Sequence, residues 1–345
     1  MGKRLTAILP IILFALIVIS AILSLWLGAY SLDSGELLAA IGGKGTATHN
    51  YLIWQIRLPR IILALVIGGG LALTGAAIQG LFRNPLAEPS FIGVSSGAML
   101  FAVATLAFNY AVLPWLPAYL HQFAVSFGAF MGALFTTWIV YRVASHRGQI
   151  KVTTMLLAGI AITAMAGAFT GLIIYYSDEQ QLRDITFWTM GSLAAASWTQ
   201  VAICAPIVLL GSFFIRRDAL ALNALLLGEG DAMTLGFNVG SVKRRVIFWS
   251  ALIVGVCISM TGLIGFVGLI IPHLLRIGSG TDYRSLLLHS LLLGAGFMCL
   301  ADTLARTIVA PAELPIGIIT ATVGSPFFIW LLLRHQQKAS KGLAV

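Results

Sequence analysis

Apolar residues in this chain come in runs about as long as a bilayer is thick, ~20 residues as a helix, not at the three-to-four spacing of a water-facing helix. Short polar or Pro/Gly-rich stretches separate the runs. The first extends from Leu5 to about Leu27, and the others predict helices near 60–81, 91–109, 121–141, 152–175, 194–215, 245–263, 264–277, 286–305 and 316–333. Residues 245–277 form one apolar stretch, but Thr261, Gly262, Gly265 and Gly268 interrupt it, which predicts two helices with a turn near Gly262. The first run follows Lys3 and Arg4. It exceeds the ~7–15 residues of a signal h-region, and no clear A-x-A site follows. It reads as a retained helix with its basic end in the cytoplasm.

Composition agrees. Of 345 residues, 59% are hydrophobic and 10% charged, with a mean hydropathy of +0.96. A soluble domain carries ~25% charge. The excess apolar content excludes a soluble enzyme, a nucleic-acid reader and a disordered chain, and predicts a single transmembrane domain over 1–345. The net charge of +9 then matters through its distribution. With ten crossings and the N-terminus inside, the outer segments hold only Lys44, Arg57, Arg60, Arg183 and Arg306 of 21 basic residues. The inner segments hold the rest, including Arg147, Arg334, Lys338 and Lys341. Merging 245–277 into one span would put Arg276 and Arg284 outside, so charge favours the split. Both termini are expected in the cytoplasm. Cys204, Cys257 and Cys299 stand alone in apolar runs and read as packing residues.

Acidic residues avoid the span centres. Glu313 falls in an outer loop and Glu88 in an inner one, and only Asp302 lies inside a span, near its outer end. A proton- or sodium-coupled carrier is expected to hold charges near the midplane, so an energy source outside the chain is expected. Gly93-Val94-Ser95-Ser96-Gly97 matches G-x-S-x-G, but a nucleophile elbow needs a strand before the serine and a histidine partner. Gly42-Gly43-Lys44-Gly45 does not meet the phosphate-loop pattern. His273, after Pro272, reads as a packing or capping residue.

Three segments are polar where spans do not require it. Trp54-Gln55-Ile56-Arg57-Leu58-Pro59-Arg60 presents two guanidinium forks at the outer mouth of the second helix, suited to carboxylates or to anchoring at lipid headgroups. The inner stretch 216–245 predicts two short helices separated by Gly228 and Gly230, whose leucines (Leu220, Leu222, Leu225, Leu226, Leu227) need the bilayer surface or another protein as partner. Arg83-Asn84-Pro85-Leu86-Ala87-Glu88-Pro89 predicts a rigid, non-helical inner connection.

These segments, in this order, resemble the FecCD-type permease family, the membrane subunits of ABC importers for vitamin B12, ferric siderophores and haem. The resemblance is carried by WQIRLPR (54–60), GGGLALTGAAIQGLFRNPLAEPSFIGVSSGA (68–98), LLAGIA (156–161), FWTMGSL (187–193), LGEGDAMTLG (227–236), GLIGFVGLIIPHLLR (262–276) and ADTLARTIVAPAELPIGIITATVGSPFFIWLLL (301–333). It implies an all-α polytopic membrane protein of about ten transmembrane helices with the type II, BtuC-like permease fold. The partners it implies are a second copy, two cytoplasmic ATPase subunits, a periplasmic substrate-binding protein and membrane lipid, with no nucleic acid. ATP and Mg belong to the ATPase subunit; no cofactor, metal or catalytic residue is expected on this chain. The resemblance assigns Arg57, Arg60 and Arg306 to docking of the binding protein. In the loop at about 216–243 it assigns Glu229, Ala232 and Gly236, with their neighbours Leu227, Gly228 and Asp231, to ATPase coupling. It also implies that helices two to five and seven to ten are inverted repeats. The stretches 178–188 and 305–313 look most like the haem-type branch, with ferric siderophore and cobalamin as alternatives. The expected location is a bacterial inner membrane.

Overall fold

A computed structural model of the chain describes residues 2–342 apart from 29, 31, 109–116, 147 and 148. Arg147, counted among the inner charges, lies outside the described residues, as do the side chains of Lys3, Arg4, Arg334, Lys338 and Lys341. In chain order the helices are α1 (Gly2–Trp26), α2 (Ser34–Ile41), α3 (Ala47–Tyr51), α4 (Leu58–Phe82), α5 (Val94–Ala107), α6 (Ala124–Ala144), α7 (Val152–Tyr175), α8 (Glu179–Met190), α9 (Trp198–Arg217), α10 (Ala219–Leu227), α11 (Glu229–Thr234), α12 (Val239–Thr261), α13 (Val267–Ser279), α14 (Tyr283–Ala305) and α15 (Ile316–Gly342). Between α6 and α7, β1 (Ser145–His146) pairs antiparallel with β2 (Gln149–Ile150).

Each expected apolar run holds a helix among its described residues; position 109, the end of the run 91–109, lies outside them. Among the described residues seven helices are long and apolar enough to cross a membrane, and the shorter apolar ones are Val94–Ala107, Val267–Ser279 and Ile316–Trp330. The split of 245–277 is present: α12 stops at Thr261, and Gly262 takes a φ of +76°, open to glycine at little cost. Two features depart from expectation. The second crossing is one continuous helical rod from Ala47 to Phe82, so Pro59 lies inside it. A wide π turn over Leu52–Arg57 directly precedes Pro59, whose missing N–H would interrupt a regular ladder. The stretch near 178–188 is the helix α8, closed at its start by a capping box: Asp178 accepts from the Gln181 N–H at 2.8 Å and the Gln181 side chain accepts from the Asp178 N–H at 3.1 Å.

Helix α4 is apolar all round and is buried along nearly its whole length, as such a helix must be. Small residues let its neighbours approach closely. A Cβ at Gly68 would collide with the Gly294 carbonyl of α14, and one at Gly75 with the Gly268 backbone of α13. Two blocks with the same rhythm interlock here. Helices α4 to α7 have 25, 14, 21 and 24 residues, and α12 to α15 have 23, 13, 23 and 27. The leading helix of each block packs on the third helix of the other, α4 on α14 and α12 on α6. The short second helix of each block also packs on the other block's leader.

Candidate functional site

The polar side chains gather at opposite ends of the bundle. At one end lies the 218–236 segment. Asp218 stands at the start of α10 and binds Arg245 of α12 at 3.0 and 2.5 Å. Asn223 of α10 donates to Asp282 at 2.7 Å and accepts from the Tyr283 N–H at 2.9 Å, which fixes α10 to the start of α14. Gly228, with a φ of 142°, separates α10 from α11. Glu229 opens α11 and pairs with Lys243 of α12 at 2.7 Å. Gly236, with a φ of +87°, ends the segment.

The leucines of this segment divide. Leu222 and Leu225 are buried in the core of the chain itself, so their partner is neither lipid nor another protein. Ala232 is buried in the same core. What remains outside is an apolar set of Leu220, Leu226, Leu227, Met233 and Leu235, with Leu227 69% exposed. Asp231 is exposed beside it.

At the opposite end the three arginines of the sequence reading come together, but none is an open fork. Arg57, Arg60 and Arg306 are 3%, 6% and 6% exposed. Arg60 holds Asp302 of α14 through Nε and Nη2 at 2.8–3.1 Å and Glu313 at 2.8 Å. Arg306 donates to the Ser24 carbonyl and to the Ser24 hydroxyl at 2.7 Å. Arg57 donates to the carbonyls of Leu25 and Tyr30. Two of the three guanidiniums therefore satisfy carbonyls at the C-terminal end of α1, where helical carbonyls lack intrahelical donors and a cation is favoured. The reason is local: Gly28 leaves room for both, since a Cβ there would stand 2.9 Å from Arg57 Nη2 and 3.2 Å from Arg306 Nη1.

Residues 16–334 match the FecCD transport family. Over 331 residues the chain is 42% identical to a hemin transport system permease protein of Yersinia pestis, covering 95% of this chain and 96% of that one. It is 38% identical to a vitamin B12 import system permease protein of Citrobacter koseri, covering 89% and 90%. A metal-chelate type ABC transporter in an inward-facing conformation superposes with a TM-score of 0.83 at 34% identity, over 94% of this chain and 98% of that one. The chain belongs to the FecCD transport family. It is thus a multi-pass ABC importer permease with a nearly all-helical, BtuC-like fold.

Within this FecCD protein a third polar site lies between the ends. The connection 83–93 is non-helical as expected up to Glu88, then forms a 3₁₀ turn over Pro89–Ile92. It folds back into the bundle: the Phe91 carbonyl lies against Gly159, about 10 Å along α7 from its start at 1.5 Å per residue. Glu88, placed in a loop by the sequence, accepts from the Phe266 N–H at the start of α13 at 3.2 Å and from Ser90 at 3.2 Å. A carboxylate here caps a helix N-terminus. Glu88, Ser90, Ser95 and Leu263 line a cleft of about 230 Å³, and Ser90, Ser95, Ser96, Thr163 and Thr170 line a second beside it. Ser95 has no strand before it, only the 3₁₀ turn, so the nucleophile-elbow geometry is missing.

The resemblance did not single out Lys243, Arg245, Met233 or Leu235. For the first two the signal was weak, because Lys243-Arg244-Arg245 reads as one inner charge cluster. Met233 and Leu235 lay in the quoted stretch 227–236, but that they stand exposed while Ala232 between Asp231 and Met233 is buried is something a sequence does not display.

Proposed function

We propose that this permease carries haem, as one of two identical copies around a shared path, driven by two cytoplasmic ATPase subunits and fed by a periplasmic binding protein in a bacterial inner membrane. The observation that carries the haem reading is the reach of the likeness. It is 42% over 95% of this chain for the hemin permease, against 40% over 85% for a Halobacterium salinarum cobalamin permease. Cobalamin, favoured by the B12 relatives, is the second reading, and a ferric siderophore, in line with the metal-chelate type neighbour, the third. ATP and Mg reside on the ATPase, and this chain is non-catalytic.

The ATPase docks on Leu226, Leu227, Met233 and Leu235, with Gly228 and Gly236 shaping the platform and Ala232 seating it. The path runs along the cleft where α7 exposes Thr163, Ala164, Gly167 and Ala168 beside Ser96 of α5. Small side chains and hydroxyls suit a large, partly apolar cargo that must not be held tightly. Arg57, closed in this structure, is the docking residue with no carboxylate to give up when the mouth opens to an acidic lobe of the binding protein: among the described residues its hydrogen-bond partners are all carbonyls. Arg60 and Arg306 position the mouth around it. Ligand-stimulated ATPase of the purified complex, with haem, a siderophore and cobalamin each on its binding protein, tests the substrate. Stimulation by cobalamin alone would replace haem. Arg57→Glu should weaken docking more at low salt than at high salt.

A further inference from the structure

We propose that Lys243 is a positioning residue for transport, the joint through which a push on α11 reaches α7 and the cleft beside it. The inference rests on the reading of 218–236 as the ATPase platform and names the path of the force beyond it.

Lys243 lies on α12 and is 2% exposed. Its ammonium is 2.7 Å from the Glu229 carboxylate, the first residue of α11, and donates at 2.8 Å to the carbonyl of Ile150. Ile150 ends β2, and α7 begins two residues later at Val152. One buried cation thus ties a surface helix, a membrane helix of the second block and the entry to the last helix of the first block. A cavity of about 490 Å³ opens beside it, lined by Ile150, Lys151, Glu229, Met233, Phe237 and Lys243. Where there is empty space, apolar packing transmits little force, so the ammonium carries the link between α11 and α7. The neighbouring helix α10 is tied elsewhere, to α12 through Asp218–Arg245 and to the start of α14 through Asn223. Both surface helices therefore bear on α12, but of the two bonds it is the Lys243 one that extends to Ile150 and the start of α7.

The test uses the permease assembled with its ATPase subunits in proteoliposomes. Lys243→Met should leave the subunits bound and ATP consumed while cargo moved per ATP falls about tenfold, a coupling loss of ordinary size. Lys243→Arg should recover most of it. Glu229→Gln, which keeps the ammonium on Ile150 but weakens its hold on α11, should fall between. Spin labels at the exposed Asp231 and at Lys151 should keep one distance with and without ATP in the parent protein, and spread to a broad distribution in Lys243→Met. Parent-level cargo per ATP in Lys243→Met, or a distance that changes with ATP in the parent, overturns the joint. If Lys243→Met does not assemble, Glu229→Gln and Lys243→Arg carry the same readouts; equal coupling in both overturns it. The platform reading fails separately, if Leu227→Asp with Met233→Asp leaves the ATPase bound as before.

Discussion

The leading helices of the two blocks, α4 and α12, both begin with buried cations that grip the opposite block, yet they grip different things. Arg60 at the start of α4 holds carboxylates on or beside membrane helix α14, namely Asp302 and Glu313. Lys243 at the start of α12 holds a backbone carbonyl and a glutamate on a six-residue surface helix. The first arrangement fastens long helices to one another. The second fastens a long helix to a short surface helix, the piece on which the proposed ATPase platform is built. Burial alone does not distinguish them; what distinguishes them is whether the far end of each bond is anchored.

The arginine end is where breaking a bond should cost most. Asp302 is 1% exposed and lies in the last turn of α14, where the helix dipole disfavours an acid. Among the described residues Arg60 and Arg306 are the cations that offset this. Asp302→Ala leaves Arg60 with Glu313 alone and removes the acid beside Arg306, and is expected to cost about 3–5 kcal/mol, read as a fall in the unfolding midpoint of the detergent-purified protein. Glu313→Ala should cost distinctly less, since that side chain is 36% exposed. Equal losses would mean that the network is not centred on Asp302.

The loop end should instead separate stability from assembly. Leu222→Ala removes a fully buried side chain and is expected to cost about 2–5 kcal/mol of stability. Leu227→Ala, at 69% exposure, should leave the unfolding midpoint unmoved and weaken retention of the ATPase subunit in pull-down. The sequence could not tell these two leucines apart. Both belong to an apolar run in a polar neighbourhood, and only the rotation of α10 against α4, α12 and α14 decides which is core. The helices themselves were legible because a twenty-residue apolar run has few alternatives. The short α8 was missed, although Asp178 and Gln181 stand at capping-box spacing at its start. The arginines show a third case. That the three share one end of the bundle was readable, but their partners are 242 residues away or on a first helix that carried little signal, so their burial was not.

Where the blocks cross, glycine does the work that charge does at the ends. Gly75 and Gly268 face each other, but a methyl at Gly75 would overlap the Gly268 backbone outright, whereas one at Gly268 would stand 3.0 Å from the Leu71 carbonyl and 3.3 Å from Gly75 Cα. Gly75→Ala is expected to cost about 1–3 kcal/mol and Gly268→Ala less, by the same unfolding assay. The reverse order would place the tight contact on the wrong helix.

The smallest effect is expected at the near end of α14, where Asp282 mirrors Asp302. Asp282 caps the helix start, so the dipole favours it. Burial pushes its carboxyl up, but the Arg284 N–H, the Asn223 amide and the Arg284 charge outweigh that and hold it below its ordinary value. A depressed carboxyl contributes stability above its unfolded pKa, about 4, and loses it as pH falls through the folded value. At neutral pH the contribution is fully present, and most of it comes from the backbone and from Asn223, which survive in Arg284→Ala. The Arg284–Asp282 pair is 3.4 Å long, with side chains 66% and 47% exposed, so Arg284→Ala should change stability by less than about 0.5 kcal/mol at pH 7. Asp282→Asn should show a difference from the parent protein that shrinks below about pH 4, because both then present a neutral side chain. A difference that persisted unchanged into acid would mean that the charge on Asp282 is not what steadies this end of the helix.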